Sequence, residues 1–367
     1  MPFESRPDPE NRILIIGGGM AGSLLALVLG RRGLPVTVID PRRDPPPMFR
    51  NEKLGTEQIA LLKDLGALGC FETACWPEDS YPGMDKPSLT DCGAPHQAWL
   101  KSVRAAWPDS VTFVESTVAS VDADSATPSI TLADGEVLKG RLVVLASGRM
   151  HQLHAQLGIT LRSLKPAHSA CLGFSVTADP FVPSQVHHVP FGHGLGYVSI
   201  FPMPGETRVN LFSYKPMNDA WTRRMAQDPL NALAEVSPRA AQALQGASLV
   251  RRCEIRGTDL YVTEGHKRPG VVLIGDSFHA PCPASGTGML RILHDIKVLA
   301  DGYLPGWLAT PGMGADKIAA FYDDSAKRAL DARSLRGSLR GREWATNASL
   351  IWRMMRVART LKQKIAA

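Results

Sequence analysis

The chain has 367 residues, 44% of them hydrophobic and 21% charged, a soluble globular composition that excludes a disordered or fibrous protein. That length exceeds one ordinary core and predicts two domains, sequential or intertwined. The formal charge of +6 is held unevenly: Lys327 to Lys364 carries eleven Lys and Arg against Asp331 and Glu343, a net +9, which leaves −3 for the rest.

The first predicted unit is "RILIIGGGMAGSLLALVLGRRGLPVTVID". Its uncharged run from Ile13 to Gly30 is as long as a membrane span, but glycines clustered after "ILII" and the absence of a basic leader point to a soluble protein without a targeting sequence. The pattern reads as strand, glycine turn, helix and second strand. Gly17, Gly19 and Gly22 form GxGxxG, and Asp40 closes the second strand at the fingerprint distance of about 20 residues. Gly17 permits the tight turn, Gly19 admits a pyrophosphate, and Gly22 lets helix and strand approach. Met20 and Ala21 open the helix whose free N-H groups would face the phosphates. Asp40 would accept the adenosine ribose hydroxyls, which disfavours a 2′-phosphate there. At this point NAD and FAD both fit.

Cys70, Cys75, Cys92, Cys171, Cys253 and Cys282 lack zinc-site or disulfide-framework spacing, which suits a reducing cytoplasm. From about Ser163 to Tyr261 the chain turns to short strand-like runs, "SACLGFSVTA", "GLGYVSIFPM" and "TRVNLFSY", punctuated by Gly and Pro. His187 and His188 would point to opposite strand faces, and with His193 they find no Cys or carboxylate at ligand spacing, so no metal site is expected. A Gly-x-Ser-x-Gly elbow is absent, which removes the obvious hydrolase reading.

The segment "GVVLIGDSFHAPCPASGTGMLRILHDIKVLADGYL" joins a strand, a Gly-Asp at its end, a proline-stiffened loop and a glycine pair opening a helix. Asp276 at a strand's carboxyl end can accept from a ligand hydroxyl, and Gly286 and Gly288 free backbone N-H groups at a helix start. This arrangement resembles the FAD-dependent aromatic hydroxylases, the p-hydroxybenzoate hydroxylase-like flavoprotein monooxygenases. The resemblance implies FAD, with Gly275, Asp276, Pro283, Gly286, Gly288 and Met289 beside the ribityl chain and ring. Here the family's Asn and Gln are replaced by Leu290 and Thr287, which leaves backbone contacts to the ring.

The same resemblance assigns Arg50, in "FRNEKLGTEQIALL", to the flavin's phosphate and ribityl chain, and Gln97, in "PHQAWLKSVRAAWP", to a second contact beside His96. It makes "GYVSIFPMPGETRVNLFSY" two strands over the flavin, with Tyr197, Ser199, Phe201, Asn210, Phe212 and Tyr214 lining a substrate pocket. The implied fold class is α/β: a Rossmann-type FAD-binding domain over 1–162 and 262–305, an inserted β-sheet substrate domain over 163–261, and C-terminal helices over 306–367. The implied chemistry is a monooxygenase that draws electrons from NADPH or NADH and passes one oxygen of O2, as a flavin C4a-hydroperoxide, to an aromatic or hydrophobic small molecule. No residue is assigned as the catalytic base.

One departure bears on the electron donor. Where the family carries Asp-Gly before an Arg, this chain has Ser147-Gly148-Arg149, which questions direct use of NAD(P)H. Three classes therefore stand: a self-sufficient monooxygenase; a reductase or a monooxygenase fed by a separate reductase; and a protein that holds FAD without redox chemistry. At the C-terminus Leu350, Met354, Val357, Leu361 and Ile365 recur at helical spacing, with Arg353, Arg356 and Arg359 off the stripe and Trp344 and Trp352 nearby. The first reading is a helix packed on the more acidic body. Membrane-surface contact is the second. Nucleic acid has no accompanying motif.

Overall fold

The computed structural model describes residues 12–78, 80–81, 85–123, 127–177 and 182–365. Five parallel strands form the first sheet in the order β15 (Val271–Leu273), β9 (Leu142–Leu145), β1 (Ile13–Ile16), β2 (Val36–Asp40) and β5 (Val111–Glu115). Its central strands are continuous apolar runs because both faces are covered. Ile13, Ile15, Val36, Val38, Leu142, Val144 and Val272 pack on one side with the helix Met20–Arg31 and its neighbours. Leu14, Ile16, Ile39, Val143, Leu145 and Leu273 pack on the other, against an antiparallel sheet of β6 (Val118–Asp122), β7 (Ser129–Leu132) and β8 (Val137–Lys139).

The second large sheet is antiparallel, in the order β11 (Gln185–His188), β12 (Leu195–Met203), β13 (Glu206–Ser213), β10 (Thr160–Thr177), β14 (Ser248–Glu264) and β16 (His279–Ala280). Alternation splits its two faces. Leu172, Phe174, Val176, Val198, Ile200, Val209 and Leu211 meet three short helices between Ala220 and Ala243 through Trp221, Met225 and Leu233. The opposite face turns toward the first sheet. A small pair, β3 (Asn51–Lys53) and β4 (Gly93–Pro95), lies between them, and a Cβ added to Gly93 would stand 2.3 Å from the Phe201 ring.

A long helix, Ser325–Thr346, braces the loop that follows β15. Asp324 caps it through the Lys327 backbone N-H, at 2.9 Å. Lys327 is buried, 2.7 Å from Asp295 and 3.2 Å from Asp331, and Asp331 also takes Arg291 at 2.7 Å. Ser338 accepts from the Cys282 backbone N-H at 3.1 Å, and Ser334 pairs with Thr287 at 2.6 Å. The last helix, Leu350–Ile365, corrects the expectation that its apolar stripe packs on the body: Leu350, Met354 and Val357 are all more than half exposed. The side chains of Leu361, Ile365 and Arg359 lie outside the described residues.

Candidate active site

The glycine loop between β1 and its helix forms one end of a cleft lined by Gly17, Gly18, Gly19, Met20, Ala21 and Asp40. Gly17 has φ +104°, and a Cβ there would lie 2.6 Å from the Ala146 carbonyl oxygen. Gly22 meets the Gly17 carbonyl oxygen at 2.0 Å, so it serves helix packing and does not itself line the cleft. Gly19 faces open space and caps the helix without a side-chain partner, which leaves backbone N-H groups turned to the cleft. Asp40 accepts from the Gly18 N-H at 2.8 Å and the Arg42 N-H at 3.0 Å. One lone pair on each oxygen is thus used by the loop, and the others remain for ligand hydroxyls.

Arg104, which no sequence motif singles out, ties this end together. It donates to the carbonyls of Gly18, Arg42 and Arg43 and stacks over Phe113 at 5.2 Å. No periodicity or short-range motif links position 104 to the glycine loop. Only the packing of its helix beside Met20–Arg31 does so.

At the other end the cleft reaches Arg50, His96, Ser147 and Asp276. Arg50 Nε lies 2.6 Å from Glu52 Oε1, and His96 Nδ1 lies 3.2 Å from the same oxygen. Burial raises the Glu52 carboxyl pKa, but Arg50 and the His96 hydrogen bond outweigh it and leave the group below its ordinary value. Glu52 therefore stands as a buried carboxylate that aims both neighbours. Asp276 sits in the turn after β15, 3.5 Å from Arg149 Nε, and its backbone carbonyl accepts from Tyr261 at 2.7 Å. A Cβ on Gly288 would be 3.8 Å from Arg50 Nη2, so the start of the helix Gly288–Lys297 approaches this arginine.

Several sequence-predicted contacts lie outside the cleft lining. Gln97 donates to the Pro45 carbonyl at 2.6 Å instead of facing the cleft, because the helix His96–Ala105 presents His96 there. Gly275, with φ +62°, packs near Ala21 and Ile292, and Met289 is a core side chain. Pro283 and Gly286 shape the loop above, where Gly286 takes φ +64° and accepts from Gln58 at 3.2 Å. His279 is buried, and burial drops its pKa to about 3, so it is a neutral packing residue.

On the second sheet Tyr197, Ser199, Phe201, Asn210 and Phe212 share the face toward the first sheet. Tyr197 donates to the Ala284 carbonyl at 3.1 Å and meets Phe212 with ring centres 4.7 Å apart. Phe201 is closed off against Gly93. Tyr214 turns away, toward His168 and Gly341 of the long helix. Arg208, not singled out from the sequence, holds Asn210 at 2.9 Å and the Phe49 carbonyl at 3.1 Å. Alternation with Asn210 and Phe212 was the signal that could have found it. Burial pushes the nearby Cys171 thiol up to about 12, so it stays protonated. Among the described residues no cluster of His, Cys, Asp or Glu could hold a metal ion.

The glycine cradle, open helix start, cleft-lining Asp40 and second carboxylate after β15 fit an adenine dinucleotide laid along the cleft. The comparisons agree. A family model described as lycopene cyclase protein matches residues 12–185, which hold the glycine loop and end at the start of β11. The chain is 26% identical to the ubiquinone hydroxylase UbiL of Rhodospirillum rubrum, over 88% of this chain and 79% of that one. It is also 26% identical to the 3-demethoxyubiquinol 3-hydroxylase of Escherichia coli, over 82% of each. Klebsiella pneumoniae HpxO, solved with FAD and uric acid, superposes with a TM-score of 0.69 at 18% identity, covering 94% of this chain and 91% of that one. Pseudomonas aeruginosa pqsL, a probable FAD-dependent monooxygenase, gives 0.66 at 20%, covering 91% and 95%.

The fold is that of FAD-dependent flavoproteins such as HpxO, and the cleft has the parts that such a dinucleotide needs. More narrowly, the chain is similar to the FAD-dependent hydroxylases and monooxygenases among its curated relatives, which supports an enzyme of that kind.

Proposed function

We propose that this chain hydroxylates an aromatic ring of the quinol or phenol type that carries an apolar substituent, using O2, FAD and electrons from NADH or NADPH. The observation that carries the reading is the pairing of a two-ended dinucleotide cleft with the aromatic and amide face of β12 and β13. Tyr197 joins that face to the loop Pro283–Ser285. The names of the two curated relatives support an aromatic quinone-class substrate. FAD, when bound and reduced, would supply the oxygen-activating chemistry. The residues of the chain then bind, orient and exclude water. Gly17, Gly19 and Asp40 hold the nucleotide, and Arg50, fixed by Glu52, supplies a cation along the cleft. Tyr197, Asn210 and Phe212 form a wall for a flat ring. His96, held at Nδ1 by Glu52, is the polar ring on the cleft wall that a ring hydroxyl would meet.

A second reading, a monooxygenase fed by a separate reductase, has its own observation. Ser147 Oγ is used within its turn, donating to the Met150 carbonyl at 3.1 Å, and Arg149 is engaged with Asp276. Anaerobic addition of NADH or NADPH to the FAD-loaded protein separates the two. Bleaching within minutes supports direct reduction, and an oxidised spectrum that bleaches only with an added flavin reductase supports the second. Turnover of a quinol analogue without label from 18O2 would sink the monooxygenase reading.

A further inference from the structure

The C-terminal helix Leu350–Ile365 is amphipathic, but it is mounted the unusual way round. Its polar and aromatic edge holds the body: Trp352 meets Trp344 edge to face at 6.1 Å, and Arg356 lies 3.6 Å over Phe191 while donating to the carbonyls of Trp344 and Asn347. Its aliphatic edge points outward, with Leu350 69%, Ile351 70%, Met354 64% and Val357 60% exposed. Phe191 beneath Arg356 is also 41% exposed. A stripe of this kind on one helix marks an interaction surface.

We propose that this face docks flat on an anionic lipid bilayer. Charge selects the occupant. Arg353 flanks the stripe and is exposed, as are Arg328, Arg336 and Arg340 along the preceding helix. A second copy of the chain would bring two such sets of arginines together, whereas an anionic headgroup layer offers opposite charge at the rim and acyl chains below it. No helix among the described residues is long and apolar enough to cross a membrane, so the contact lies in the interfacial plane. The inference stands apart from the substrate reading, because binding is measured without turnover.

The test is flotation of the full-length FAD-loaded protein with phosphatidylcholine vesicles, plain or containing about one third phosphatidylglycerol. Binding to the anionic vesicles, weakened by salt, is expected. The double variant Ile351→Asp/Met354→Asp should cut partitioning by about a hundredfold and Arg353→Glu by about tenfold, with flavin content unchanged. Equal binding to neutral vesicles, or variants that float like the wild type, would overturn the proposal. So would a protein that ignores vesicles but doubles its mass in light scattering, with the doubling lost in the double variant, since the face would then join two copies.

Discussion

Gly19 and Gly22 stand three residues apart in one turn, yet the structure separates what an alanine would do at each. At Gly22 a Cβ would sit 2.0 Å from the Gly17 carbonyl oxygen, a backbone atom that cannot swing aside. Overpacking of this kind costs about 1–3 kcal/mol or more, so Gly22→Ala should lower the melting temperature of the FAD-free protein by several degrees. At Gly19 nothing lies within 4 Å, and its backbone, φ −68° and ψ −174°, is one that alanine adopts freely. Weaker capping, about 1 kcal/mol, is largely offset by the reduced entropy of the unfolded chain, so the FAD-free Gly19→Ala protein should melt within about 2 °C of wild type. With ligand the order reverses. The methyl group at residue 19 enters the space a pyrophosphate needs, and FAD affinity should fall by about tenfold or more. The assay is a differential melt without FAD beside an FAD titration followed by flavin fluorescence. A Gly19→Ala protein that binds FAD within twofold of wild type would show that the phosphates do not lie against this loop.

Glu52→Gln removes the charge that Arg50 and His96 share. Because Arg50 is 42% exposed, the loss should be about 1–2 kcal/mol, read as roughly a tenfold weaker FAD affinity with a modest fall in melting temperature. Lys327→Met leaves the buried Asp295 without its cation, while Asp331 keeps Arg291, and should cost about 3–5 kcal/mol in urea unfolding. His279 has its folded pKa lowered to about 3, so between about pH 6.5 and 3 the unfolded chain binds the extra proton and stability falls as pH falls. A His279→Gln protein should show a shallower acid limb over that window, and an unchanged limb would mean the imidazole is not buried neutral.

Where function depends on residues close in sequence, the sequence was readable. The glycine spacing, Asp40 and the Gly-Asp after the apolar run "VVLI" each have a local geometric reason, and the fold places Gly17, Gly19, Asp40 and Asp276 along one cleft. Where it depends on distant packing, the sequence was silent. Arg104 reaches a loop 86 residues away, and Glu52 gains its role only because β3 pairs with β4 and brings His96 beside it. The C-terminal helix shows a third limit. Periodicity finds an apolar stripe, but it does not say which edge faces the body, and here Trp352 and Arg356 supply the contact. Gln97 missed the cleft for a related reason, since one step along a helix turns a side chain by about 100°.

The two longest strands, β10 with 18 residues and β14 with 17, run side by side from Thr160 paired with Glu264 to Thr177 paired with Ser248. At one end the ladder adds β16 and so reaches the turn carrying Asp276, and at the other it underlies the helices near Trp221. A shared ladder of this length couples the nucleotide-binding and aromatic halves into one cooperative unit, so they should melt in a single transition and open little as rigid bodies. Ring-sized molecules must then enter by movement of loops at the cleft rim. The many pairings between residues about 80 to 100 apart also give the chain a high contact order, and its refolding should be slow and its nascent strands exposed while it completes.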